Sequence, residues 1–131
     1  MTAATSHWTR RDFVAGAVGL LALRGAPVTR FGLFGKFTAQ PGQRDALVQH
    51  LLTAAALVGA APGCELYVVH TSPTEPDAIW VSEAWRSQAD HEASLGMPGV
   101  RELIATARPL IAGMSDRVVT VPVGGKGLPV G

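Results

Sequence analysis

Ile79–Leu95 reads IWVSEAWRSQADHEASL and divides at Ser87 into two segments of different period. On the N-terminal side Ile79, Val81, Glu83 and Trp85 alternate with Trp80, Ser82, Ala84 and Arg86, the two-residue period of a strand. On the C-terminal side Ser87 can cap a helix, with Asp90 three residues on in a capping-box arrangement. The stretch is therefore a strand running into a helix. Each strand face carries one tryptophan, so neither face reads as a plain solvent face.

Working upstream, the polar loop Thr71–Ala78 joins this strand to Glu65–His70, ELYVVH, and predicts a hairpin. In ELYVVH, Leu66, Val68 and His70 share one face, and Glu65, Tyr67 and Val69 the other. Before it, Leu47, Leu51, Ala54, Ala55 and Val58 recur at helical spacing, with Asp45 in the first turn and Gly59 to Gly63 as the stop. Pro41-Gly42 separates that helix from a first strand, in which Phe31, Leu33 and Phe37 alternate with Gly32, Phe34, Lys36 and Thr38.

Downstream, Pro98-Gly99 interrupts the second helical half. Val100, Leu103, Ile104, Ala107, Leu110, Ile111 and Met114 then form an apolar stripe, and Pro109 predicts a kink or break near Arg108. A last strand is expected over Arg117–Val123. The order strand, helix, strand, strand, helix, strand predicts an α+β fold. It is a ferredoxin-like arrangement, with a four-stranded antiparallel sheet and both helices on one face. The other face keeps large side chains without a cover, which predicts a homodimer.

Composition narrows the function. The chain has 131 residues, 47% of them hydrophobic, enough for one core and one domain. Eleven basic residues against ten acidic ones, scattered along the chain, give no patch for a nucleic-acid partner. Cys64 is alone, so no internal disulfide forms, and it reads as a small buried apolar residue. Histidines at 7, 50, 70 and 91 give no helical pair for a metal, and neither a phosphate loop nor a Gly-x-Ser-x-Gly turn is found.

The first 26 residues read differently from the rest. Paired arginines in Thr9-Arg10-Arg11-Asp12-Phe13 precede an apolar run, Val14–Leu23, which is too short to span a bilayer but suits an export signal. Residues 1–26 are expected to be a leader for the twin-arginine route and 29–128 the folded domain, without stable membrane association. The alternative is an ordinary N-terminal helix of a cytoplasmic protein.

The segments QPGQRDAL (Gln40–Leu47), PGCELY (Pro62–Tyr67), IWVSEAWRS (Ile79–Ser87) and VGGKGL (Val123–Leu128) resemble the antibiotic biosynthesis monooxygenase family, in particular its small quinol monooxygenases. The resemblance covers Arg30–Leu128. It implies a ferredoxin-like fold that dimerises into an α+β barrel, with a pocket between sheet and helices for a flat aromatic substrate. It also implies oxidation of anthrones or hydroquinones by O2 with no metal, flavin or haem, so no cofactor is expected. A deprotonated, electron-rich phenol can itself reduce O2. The protein then has to hold the ring, take a proton and stabilise the developing negative charge.

For those tasks the expected catalytic residues are Trp85, as an indole donor carrying the family match, and His70, as base. Tyr67, His50, Arg108 and His91 are the expected substrate-binding residues. The carboxylates read as structural or solvated. Glu83, on the Trp85 face, would need an arginine or a place at the dimer seam. Val81 stands where anthrone-oxidising relatives carry Asn, and Ser94 where many members carry His. The later helical stretch, Val100–Met114, has no histidine of the kind the haem-degrading branch uses. Two functions from different classes follow: a cofactor-independent monooxygenase, and a dimeric module that binds a hydrophobic aromatic without turning it over.

Overall fold

The computed structural model describes residues 29–129, so the leader expected at 1–26 lies outside the described residues. The elements are β1 (Phe31–Ala39), α1 (Arg44–Gly59), β2 (Cys64–Thr71), β3 (Ala78–Trp85), α2 (Gln88–Ser94), α3 (Val100–Ala107) and β4 (Ile111–Thr120). The strands form one sheet in the order β2-β3-β1-β4, with every neighbouring pair antiparallel. This is the ferredoxin-like α+β arrangement expected, with the second helical half divided in two.

Local chemistry accounts for the boundaries. Ser87 is extended, and its Oγ accepts the Asp90 N–H at 3.1 Å, opening α2. The Asp90 carboxylate turns instead to Arg86, whose Nε donates to it at 3.0 Å, so half of the capping box forms. α3 opens at Gly99, which has φ of 88° and donates its N–H to Glu102 Oε1 at 3.0 Å. Between α1 and β2, Gly63 has φ of 86°, and a Cβ there would lie 2.2 Å from Asp90 Oδ2. Only glycine turns the chain so close to α2.

The end of α3 corrects the sequence reading. Leu110, Ile111 and Met114 do not continue a helix: Arg108–Leu110 is one 3₁₀ turn, and β4 already begins at Ile111 rather than Arg117. Pro109 lacks an N–H and its ring obstructs the preceding turn, so the break falls near Arg108 as expected. The early strand follows from long-range pairing, because Ala39 and Thr38 of β1 take Ile111 and Gly113 as partners. β4 then bulges opposite β1 between Phe34 and Lys36, with Asp116 left-handed at φ of 52°.

α1 and α3 cover one face of the sheet. Beneath them Leu47 and Ile79 are completely buried, packed with Ala39, Leu51, Val81 and Ala107. A second cluster joins Phe31, Val58, Ala61, Trp85 and Val100. Among the described residues no helix covers the opposite face, which is closed beside Gly32 by the Pro122 side chain beyond β4. Phe34, Val68 and Val118 are exposed there, and Trp80 lies half-buried with the Lys36 ammonium 5.6 Å from its ring.

Candidate active site

Strand alternation turns Glu83 and Trp85 toward the helices. On the neighbouring strands Tyr67 and Leu33 stand in register with Glu83. Above this patch the helices do not close fully, leaving a cavity of about 450 Å³. Its walls are mostly apolar, from Phe37, Leu47, Leu51, Ala54, Val58, Val100, Leu103, Ile104, Ala107, Ile111 and Met114. The polar side chains at the walls are Tyr67, Glu83, Trp85, His91 and Ser94, with His50 and Arg108.

These polar groups fall at two levels. Trp85 belongs to the cluster that includes Val58, whereas His50 lies eight residues earlier on α1, about 12 Å along the helix axis. His50 donates through Nδ1 to the Ala46 carbonyl at 2.9 Å. At the Trp85 level the groups are tightly connected. The Trp85 indole N–H donates to Glu83 Oε1 at 2.8 Å, and His91 Nε2 lies 3.9 Å from the same oxygen. The His91 ring stands edge-on to Trp85 at 5.5 Å and tilted against Phe31 at 5.1 Å. Ser94 holds this turn of α2, its Oγ donating to the His91 carbonyl at 2.6 Å.

Glu83 carries the unusual electrostatics. Its side chain is 13% exposed, and burial pushes its carboxyl above the ordinary range, because the anion is desolvated. The Trp85 hydrogen bond and the charges of His91 and Arg117 oppose that shift without cancelling it. Burial also pushes the Tyr67 phenol up, with the Glu83 charge adding to it. Tyr67 therefore stays protonated and is a donor at neutral pH. Among the described residues no hydrogen bond reaches the Tyr67 hydroxyl or Glu83 Oε2, and both residues line the cavity. Cys64 is half-buried, its thiol pushed up by burial and by Glu83. It is not a reactive thiolate.

Five of the six residues expected at the site meet at this cavity: Trp85, Tyr67, His50, His91 and Arg108. His70 does not. It lies on the open face, where its Nε2 is 3.0 Å from Ser82 Oγ, because β2 alternates and Tyr67 takes the inward position. A substrate in the cavity does not reach His70. Trp85 lines the cavity, but its N–H is already given to Glu83, so it is not a free donor for a substrate oxygen. Of the two readings of the carboxylates, structural or solvated, Glu83 excludes the solvated one, being buried and bonded to the Trp85 indole. Its face shared with Trp85 was the signal in the sequence. Val81 is buried in the core, and Ser94 lines the cavity.

Comparison with known proteins agrees with this architecture. No curated protein matches the chain. A Chloroflexus aurantiacus structure assigned to the antibiotic biosynthesis monooxygenases is 49% identical, with a TM-score of 0.72, over 76% of this chain and 99% of that one. A Caulobacter crescentus structure assigned to the same group is 23% identical, with a TM-score of 0.63, over 75% of this chain and 92% of that one. A variant of SnoaB, a cofactor-independent oxygenase from Streptomyces nogalater, shares the fold at 13% identity and a TM-score of 0.64, over 74% of this chain and 96% of that one. The family model for antibiotic biosynthesis monooxygenase matches residues 30–106, and the chain belongs to that family.

Proposed function

We propose that the protein is a cofactor-independent monooxygenase that oxidises a quinol or related polyphenolic aromatic with O2. The observation that carries the reading is the apolar cavity of about 450 Å³ ending on a buried carboxyl, imidazole and indole cluster. A slot of that size and lining suits a flat, uncharged aromatic, with its polar atoms directed to the few polar groups. Written for a hydroquinone, one ring C–H becomes C–OH and the diol becomes a quinone. The substrate loses four electrons, one atom of O2 enters the product and the other leaves as water. In this reading the neutral Tyr67 hydroxyl donates to an oxygen that becomes negative as the substrate loses its proton.

The test is O2 consumption by the purified protein, stripped of metals, with benzo- and naphthohydroquinones, together with mass analysis of the product. Uptake that yields a hydroxyquinone is expected. Tight binding without uptake would favour the second reading, an aromatic-binding module, which is supported by buried Val81 at the position where anthrone-oxidising relatives carry Asn.

Two further parts of the reading are proposals of the same kind. The apolar open face, with Phe34, Val68, Trp80 and Val118, is covered by a second copy of the chain. Sedimentation at micromolar concentration would then give a dimer, and a monomer would refute it. Residues 1–26 direct export by the twin-arginine route. Equal retention of wild type and an Arg10→Lys/Arg11→Lys variant in the cytoplasm would refute that.

A further inference from the structure

Glu83 is an expensive residue where it stands. A buried carboxylate costs stability unless its oxygens are fully paired, and an amide or an apolar group would serve packing better. Here Oε1 is held by the indole N–H at 2.8 Å, which fixes the carboxyl against β3, while Oε2 receives no hydrogen bond among the described residues. Glu83 and Tyr67, its register partner on the neighbouring strand, both line the same apolar cavity. A fixed acceptor beside an unpaired donor is complementary to a hydroxyl that gives up its proton and keeps its charge.

We propose that Glu83 is the proton acceptor of this cavity, taking the proton of a neutral, hydroxyl-bearing fused aromatic, with Trp85 and His91 as positioning residues that set its basicity. In the step the phenolic O–H bond breaks and a carboxyl O–H bond forms, so ArOH and the carboxylate become ArO⁻ and the carboxylic acid. The phenolate oxygen is left facing Tyr67. A substrate with its own carboxylate at this end is excluded, because two anions would share one desolvated site. The carboxyl's upward displacement by burial brings it closer to a phenol in proton affinity, which favours the transfer.

The groups facing Glu83 are few. β2 brings Tyr67 and Cys64, both pushed up by burial and therefore protonated through the acid range. β1 brings Leu33 in register, which does not titrate. α2 brings His91, and Arg117 of β4 acts by its charge. His50 and Arg108 stand elsewhere on the cavity wall.

The inference rests on the monooxygenase reading for its substrate, but its test does not require turnover. Calorimetry without O2 would compare 1-naphthol with 1-methoxynaphthalene, which has the same ring and no proton to give, on the full chain from acid to neutral pH. Naphthol should bind about tenfold more tightly once Glu83 ionises, the worth of one hydrogen bond to a charged acceptor, while the ether stays level. Glu83→Gln keeps an oxygen for the indole N–H and should abolish the rise. Trp85→Phe and His91→Gln each remove something that lowers the Glu83 pKa, so both should move the midpoint to higher pH.

The idea is overturned if the ether follows the naphthol curve, if Glu83→Gln keeps the rise, or if neither compound binds. It is also overturned if His91→Gln or His50→Gln removes the rise, which would make an imidazole the titrating group. A naphthol result as expected with no hydroquinone-dependent O2 uptake would leave Glu83 as acceptor and remove the oxidation. Uptake that survives Glu83→Gln would do the reverse.

Discussion

Trp85 and Trp80 sit on the same strand, five residues apart, and live under opposite conditions. Trp85 faces the helices, is 1% exposed and gives its N–H to a buried carboxylate. Trp80 faces away, half-buried, beside the Lys36 ammonium. The histidines repeat the contrast, His91 inside beside Glu83 and His70 outside against Ser82. What separates the members of each pair is the cover provided by the helices. Under that cover Glu83 and Trp85 are desolvated, so charges and donors act strongly on one another, whereas Trp80 and His70 keep more contact with solvent in the single chain.

The most severe test of this contrast is Glu83→Gln. If the reaction is the proposed oxidation and needs a base on the covered face, hydroquinone-dependent O2 uptake should fall about a hundredfold or more, measured at matched folded-protein concentration. Uptake within a few-fold of wild type would mean that the covered face is a packed wall and the base lies elsewhere.

Stability should divide along the same line. Ile79, wholly buried, should lose about 2–5 kcal/mol on change to Ala, read from denaturant unfolding. Val68→Ala on the open face should cost less than about 1 kcal/mol in dilute solution. If a second copy covers that face, the Val68 cost grows with protein concentration, and a cost independent of concentration would argue against the shared surface.

A smaller effect concerns pH. Folding raises the Glu83 pKa, so the folded chain holds this proton more tightly than the unfolded one. Any stability gained from that difference is fully present below the unfolded carboxyl pKa, about 4.3, and is lost as pH rises through the higher folded value. Glu83→Gln should therefore melt at a higher temperature than wild type near neutral pH, with the advantage disappearing toward pH 4. A variant that melts lower at neutral pH would mean that the carboxylate is well paired after all.

The smallest expected effect is His70→Ala, which should leave O2 uptake within about twofold, since its ring is turned away from the cavity. A loss approaching that of Glu83→Gln would show that the sheet does not separate the two faces functionally.

Much of this was legible in the chain before folding. The alternation Ile79–Trp85 assigned Glu83 and Trp85 to one face and Trp80 to the other, and Ser87 marked the helix start. The resemblance carried by Pro62–Tyr67 and Ile79–Ser87 pointed to a pocket where five of the six expected residues meet. Less legible was the Leu110-Ile111-Met114 run, whose spacing mimics a helix. Leu110 closes a 3₁₀ turn, and from Ile111 on the run became strand because β1, one of the two central strands, had unpaired backbone groups to offer there.

By itself the sequence determined what depends on neighbours along the chain: the element order, the breaks at Pro109 and Gly63, and which side chains share a face of each strand. Those follow from sterics and hydrogen bonding over a few residues. The tertiary structure decided that Tyr67 rather than His70 turns inward, that the indole N–H is spent on Glu83, and that this carboxyl is desolvated. Each of these depends on which strands pair and which face the helices cover. A residue's dielectric surroundings and hydrogen-bond partners come from parts of the chain distant in sequence, and no local pattern encodes them.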